Sequence, residues 1–512
     1  MKKLFQEKII SRIFNILATV LYLILFGYSL FLTGNQSENI RDEFIYIEHD
    51  SFILNVLFLG CALSIFLFLG KAVDKIKKMS TRNFILSVVC VLAGGISVYW
   101  VIAANALPMA DQLYLCQYAE AFNKGEFSGL QWGGYVARYP QQLGIITLLR
   151  AFLIVFGENY IRAFQIMVAL SVPLLILSGC MILRHLTKNN VKVEIYYLFL
   201  MLLCVPMYAY SSFVYGDLLS TVLAMLCVWV YLASFHKFTY GKVFLFSGLI
   251  GLAVQLRQNL LILVVALGIV TVIKFIFSAR KHAFIMFIAL LIGVFGFHVG
   301  VRGMYAQAMQ DNPPEIPAVL FMVMGLNDDQ GRPGWHNNYE FNTFDECSDD
   351  VEAAKEVAYT HLRMYLGIYK ENPSYMIDFF VRKMNTQWHA PMYQSVVMTG
   401  YNGGNQLSPI KEIYEYDDVI YVLSFMMKVY QMLLYGGILF LLVVKRKDWT
   451  QIENYSLLIC VFGGFIFSLM WEAKTRYMFP YLLMQIPYMA WGIHEMISVI
   501  SIKVLALKNR IK

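Results

Sequence analysis

Asp111 stands three positions past Pro108, where the apolar run 84–107 stops, so a carboxylate is held beside a hydrophobic span at its edge. A carboxylate so placed can take a proton from a hydroxyl, or can simply be solvated at a helix end. Near the end of the chain, Trp471, Glu472, Ala473, Lys474, Thr475, Arg476, Tyr477, Met478, Phe479 and Pro480 put three charges between two apolar runs. Guanidinium is a planar fork of donors that matches phosphate oxygens and keeps its charge at membrane depth. The plainer alternative is a local ion pair of Glu472 with Lys474 or Arg476. Arg257, followed by Gln258 and Asn259, interrupts another long apolar stretch, where an arginine lines a cavity or meets an anion. The loop that begins at Asp111 also carries Glu120 and, after Gly125, Gly129, Gly133 and Gly134, the run Arg138, Tyr139, Pro140, Gln141, Gln142.

The elements that must position these residues are membrane spans. The chain is 59% hydrophobic and 15% charged, with a mean hydropathy of +0.58, outside the range of soluble globular domains. Runs long enough to cross hydrocarbon as helix recur about twelve times. They fall near 12–32, 52–70, 84–107, 160–183, 195–214, 217–235, 242–257, 259–277, 283–303, 418–444, 454–471 and 478–500. The expected fold is therefore an all-α polytopic membrane protein with a mixed extracytoplasmic loop domain. Four regions follow: an N-terminal transmembrane hairpin with a basic loop (1–83), a transmembrane core (84–303) containing the long loop 108–159, an extracytoplasmic domain (304–417), and C-terminal transmembrane helices (418–512).

Lysine and arginine set the orientation. The N-terminus, the 71–82 loop, Arg184 with Lys188 and Lys192, Lys237 with Lys242, Arg280 with Lys281, Lys445 to Lys447 and the C-terminal tail share one side of a twelve-span chain. By the positive-inside bias that side is cytoplasmic, with both termini on it. Asp111, the Arg257 turn, Arg476 and the 304–417 segment then face outward. The formal net charge of +7 is mostly this bias, so nucleic-acid binding has little support. The segment 12–32 lacks small residues in a cleavage-site arrangement and is expected to be a retained anchor.

The eight cysteines sit mostly in spans; Cys116 and Cys347, in the two long loops, could pair or remain small hydrophobes. No Cys/His spacing points to zinc, and no Gly-rich phosphate loop is present. Residues 111–124 fit a helix along the membrane surface, and 143–156 a juxtamembrane or re-entrant piece. In 304–417, Trp335, Trp388 and Tyr393 could stack on a sugar or could be core aromatics. His336 and His389 suit hydrogen bonding better than metal ligation.

Asp111, the tyrosine-proline segment of its loop, the Tyr215, Gly216, Asp217 turn, the Arg257 turn and above all the Glu472 to Pro480 block together resemble the GT-C glycosyltransferases. The closer likeness is to the family 39 group of protein mannosyltransferases and aminoarabinose transferases, Gram-positive bacterial type, over about 84–500. The resemblance implies transfer of a sugar from a polyprenyl-phosphate donor to an extracytoplasmic acceptor: cell-wall glycan, teichoic acid, lipid or protein. With one base and no evident carboxylate nucleophile, single-step inversion at the anomeric carbon is expected. The resemblance also implies Asp111 as general base, with Arg476, Arg257, Lys474 and Arg138 at the donor phosphate. Glu120, Tyr139, Gln142, Asp217, Glu472 and Tyr477 would support these or meet substrate. Two departures stand out. Gln112 follows Asp111 where many relatives carry a second acid, so a partner carboxylate must come from elsewhere, with Glu120 or Asp217 as candidates. The spans within 12–70 are extra, and add an N-terminal hairpin. No cofactor is assigned, and participation of a divalent metal is left open. A polymerase or ligase using lipid-diphosphate oligosaccharides, and a lipid-linked sugar flippase or transporter, are the competing readings.

Overall fold

The computed structural model describes residues 2–36, 43–76, 78–278, 280–309, 313–329, 331–400, 405–446 and 449–511. Lys77, Lys447 and Lys512, counted among the basic loops, lie outside them. Among the described residues, nine helices are long and apolar enough to cross a membrane, ten if a bent pair counts as one span. The chain is a multi-pass, almost wholly helical membrane protein.

Three of the twelve expected spans differ from the simple picture. The run 195–214 is two helices, Val191–Leu202 and one starting at Val205, bent by 56°. Pro206 lies in the first turn of the second helix; without an N–H it starts a helix readily and cannot continue one. Tyr240–Leu256 is apolar but, at 17 residues, falls outside the nine, as does Phe479–Ile511. The Arg257 triplet is a true break. Arg257 is extended, a short turn covers Gln258–Leu260, and Leu261–Phe277 begins after it.

Small residues let the helices close on one another. A Cβ on Gly251 would stand 2.5 Å from the Gly293 carbonyl oxygen, and one on Gly492 would strike the Gly437 backbone. The first helix, Lys2–Ser29, lies along Asp417–Lys445. Asn15 donates to the Leu442 carbonyl at 3.3 Å and to the Tyr455 hydroxyl at 3.2 Å, and the Tyr22 hydroxyl donates to Gln485 at 2.7 Å. At the end of the bundle far from Asp111, Lys274 sits between Glu453 at 2.9 Å and Glu7 at 3.4 Å, all three buried. At that same end Glu194 joins Arg82 and Arg184.

The Asp111 end is built from several pieces. Asp111–Asn123 is a helix packed on a second one, Leu143–Phe156. The segment 304–417 is mostly helical among its described residues: Ala318–Gly325, Tyr339–Glu346, Val351–Glu371, Pro373–Trp388 and Ser395–Thr399, with a ladder of two residues a side at Asp328–Asp329 and Arg332–Pro333. Its own small cores gather Ile316, Leu320, Val323, Phe344, Ala354 and Ala358, and, beside them, Leu326, Tyr369 and Phe379. From Met384 to Met398 the chain instead joins the main core of the bundle. Trp388 and Tyr393 are buried there, which makes them core aromatics and takes them away from sugar stacking. His389 is also buried, its Nε2 2.9 Å from the Leu25 carbonyl oxygen. The N-terminal region adds a strand hairpin, Leu32–Gln36 against Ile45–His49, with Leu32 opposite His49. The Gly34 N–H donates to the His389 carbonyl at 2.7 Å, docking the hairpin on the 304–417 segment.

Candidate active site

Asp111 opens its helix directly after Ala110, whose φ of 46° is a conformation an L-residue adopts only when its surroundings enforce it. The enforcing neighbour is Gln112. Its amide donates to the Met398 carbonyl at 3.1 Å and accepts from the Val214 N–H at 2.9 Å, so the start of the helix is pinned to two distant segments. An amide can both donate and accept in this way, and an ionised carboxylate cannot. Asp111 itself is 45% exposed at the first turn of the helix.

Arg476 faces it. Arg476 Nη2 is 3.8 Å from Asp111 Oδ2, and the guanidinium is 4% exposed. The short turn Thr475–Met478 holds it through the Thr475 hydroxyl, which donates to the Gln387 carbonyl at 2.8 Å, and through its own N–H, which donates to Gln394 at 3.0 Å. Arg257 enters from the other side, its Nε 3.3 Å from Asp217 Oδ1. The ring of Tyr215 lies between the two arginines, its centroid 4.8 Å from the Arg257 guanidinium carbon and 5.2 Å from that of Arg476. Tyr477 meets both, at 5.2 and 5.4 Å, and donates its hydroxyl proton to Glu472 at 2.5 Å. Aromatic faces between like charges attract each cation and keep the pair apart.

Lys474 occupies a neighbouring pocket, 3.0 Å from Glu43 and 3.7 Å from Glu472. Burial drives the Glu472 carboxyl upward, but Lys474, His336, the Tyr477 hydroxyl and Arg476 together hold it below the ordinary carboxylate range. Burial likewise lowers the Lys474 ammonium, and the two carboxylates outweigh it, so this lysine stays charged. The structure therefore brings Asp111, Arg476, Arg257, Asp217, Glu472, Lys474, Tyr477 and Gln142 into one cluster, Gln142 through a 2.5 Å hydrogen bond to the Tyr215 hydroxyl.

Three expected residues lie elsewhere. Arg138 turns to Asp345 at 2.8 Å and Asp349 at 2.7 Å, its guanidinium over the Phe341 and Phe344 rings. Glu120 accepts from the Tyr160 hydroxyl at 2.8 Å, nine residues along the helix from Asp111, about 13 Å of axial rise. Tyr139 meets the Tyr135 ring at a tilt and the Phe321 ring edge-on, at the edge of the cluster. Glu43, Gln394 and Tyr215 are the members that the sequence does not single out; Tyr215 had only its place in a Tyr-Gly-Asp turn. Among the described residues there is no group of three or more His, Cys, Asp and Glu side chains that could hold a metal ion. Cys116 and Cys347 are both free.

No family model matches the chain, and no curated protein is similar to it.

Proposed function

We propose that the protein is a membrane glycosyltransferase that moves a sugar from a polyprenyl-phosphate donor to an acceptor on the outer side of a bacterial plasma membrane, with both termini inside. The observation that carries this reading is the half-exposed Asp111 carboxylate beside the buried Arg476, with a second buried arginine across the Tyr215 ring. A hydroxyl of the acceptor attacks the anomeric carbon and its proton passes to Asp111. The bond from that carbon to the phosphate oxygen breaks, and the negative charge left on the polyprenyl phosphate is met by Arg476 and Arg257. A single displacement with one base inverts the anomeric centre.

The buried pairing of Arg257 with Asp217 supports a fixed rather than mobile cation, which is what charge stabilisation in a transition state requires. Lys474 is neutralised by Glu43 and Glu472 and braces the wall of the site. Arg138 fastens the first loop to the 304–417 segment, which we assign to acceptor binding. Cell-wall glycan, teichoic acid, lipid and protein are the acceptor classes to be tried.

The test is transfer in vitro from a panel of radiolabelled polyprenyl-phosphate monosaccharides to membrane and wall-glycan fractions. Asp111→Asn is expected to lose about 10²- to 10⁴-fold in rate, and Arg476→Ala about 10²- to 10³-fold. A folded Asp111→Asn protein with full activity removes the assignment of the base. Absence of transfer from every donor by folded wild type, with turnover of lipid-diphosphate oligosaccharides instead, moves the protein to the polymerase class. Movement of lipid-linked sugar across vesicles without a new glycosidic bond moves it to the flippases.

A further inference from the structure

Buried hydrogen-bond donors are nearly always satisfied, and those that are not ask what completes them. Three meet around one ring. Arg476 Nε and Arg257 Nε make no hydrogen bond among the described residues, the 3.3 Å approach of Arg257 to Asp217 being an ion pair without hydrogen-bond geometry. The third is the Tyr215 hydroxyl. Its side chain is 2% exposed, its oxygen already accepts from Gln142 at 2.5 Å, and its own proton finds no acceptor among the described residues. Burial first, and then the Asp111 carboxylate, raise this phenol above its ordinary value, so it remains a protonated donor at neutral pH. A phenol flanked by two guanidinium groups, with its proton free and its acceptor capacity taken, is matched by a ligand made of anionic oxygens.

We propose that Tyr215 is a third ligand-contacting donor of the site: its hydroxyl hydrogen-bonds an oxygen of the phosphoryl group held by Arg257 and Arg476, and Gln142 is the positioning residue that turns the hydroxyl proton toward that group. The proposal rests on the polyprenyl-phosphate reading above and adds a residue to it. Gln142 comes from the Asp111 loop and Tyr215 from the turn before Asp217–His236, so binding of the anion also joins the two segments.

The experiment is a titration of purified full-length protein with farnesyl phosphate, and separately with inorganic phosphate, followed by phosphorus NMR, with wild type, Tyr215→Phe and Gln142→Glu. Phenylalanine keeps the ring between the arginines and removes only the donor. Glutamate at 142 accepts the phenol's proton and draws it away from the ligand. Each change is expected to weaken farnesyl phosphate binding about 10- to 100-fold, as for one hydrogen bond to a charged group, and the double variant is expected to be no weaker than either single one. Unaltered affinity in a folded Tyr215→Phe protein overturns the proposal, as does additivity of the two changes. If Gln142→Glu alone binds normally, the positioning role of Gln142 is overturned. Tighter binding of inorganic phosphate than of farnesyl phosphate by wild type sinks the lipid-phosphate reading, while a loss on Tyr215→Phe in that arm still upholds the donor. Wild type that binds neither overturns both.

Discussion

A lysine with no route to water is held beside the site. Lys383 is fully buried, donating to the carbonyls of Gly325 and, at 3.0 Å, Leu469, and burial drives its ammonium down to about 7 against the pull of Glu472. Above that value it is a neutral amine, which still has hydrogens enough for both carbonyls. Between about 7 and the ordinary lysine value of 10.5 the unfolded chain binds more protons than the folded one, so this group makes stability rise with pH across that window. Melting temperatures of wild type should therefore rise relative to Lys383→Met between pH 7 and pH 10, and a difference that stays flat removes the assignment. Single residues were unequally legible. Asp111 and Arg476 could be found because each is a charge where an apolar run ends. Glu43 carries no such mark: the docking of the strand hairpin on the His389 carbonyl, with the Gln394 amide donating to the Glu43 carbonyl at 2.6 Å, brings it 3.0 Å from Lys474. Trp388 was visible as an aromatic but its burial was not, because the helix that carries it leaves one core and enters another.

Elements, rather than residues, decide what Arg138 does. In the sequence it reads as another cation near Asp111. In the fold, the segment containing Asp345 and Asp349, 207 residues from Arg138 in the case of Asp345, returns to the first loop and captures it. The Ile316 N–H donates to the Arg138 carbonyl at 3.2 Å, so backbone and side chain fasten the same junction. Arg138→Ala would leave Asp349 buried without its cation, a change that costs about 3–5 kcal/mol. Amide exchange over 339–349 is then expected to accelerate about 100-fold or more, with protection in the spans retained; unchanged exchange would show the junction to be held by other contacts. Span positions were the most legible feature, since apolar length is written directly in the chain. The break within 195–214 was not, although Pro206 marks it, because apolar residues continue on both sides. In 304–417 the short helices Ala318–Gly325, Tyr339–Glu346 and Ser395–Thr399 were hidden for a similar reason: set among Pro, Gly and Asn, they look irregular until packing selects them.

At the scale of the whole molecule, buried charge ties the two ends of the chain together. Lys274 balances Glu7 and Glu453 at the end of the bundle opposite Asp111. The Ser278 hydroxyl and the Ile452 N–H also serve Glu7. Lys274→Met would leave two carboxylates facing each other in a low-dielectric interior, destabilising the protein by about 3–5 kcal/mol. Adding Glu7→Gln and Glu453→Gln should restore most of the loss, read as melting temperature in detergent; a triple variant no more stable than the single one would mean that packing, and not charge, is what the lysine provides.

The same arrangement governs how the protein is made. The first helix finds the partners of Asn15 and Tyr22 only at positions 427 to 463 residues further on. At roughly 5 to 20 residues per second, ribosomes need on the order of 20 to 90 s to supply them. For that interval the earliest span waits in the bilayer with an asparagine and a glutamate lacking their final neighbours. Its polar side chains are therefore natural clients for whatever membrane chaperone shelters unassembled helices, and premature termination before residue 455 would leave them as a recognition signal for proteolysis.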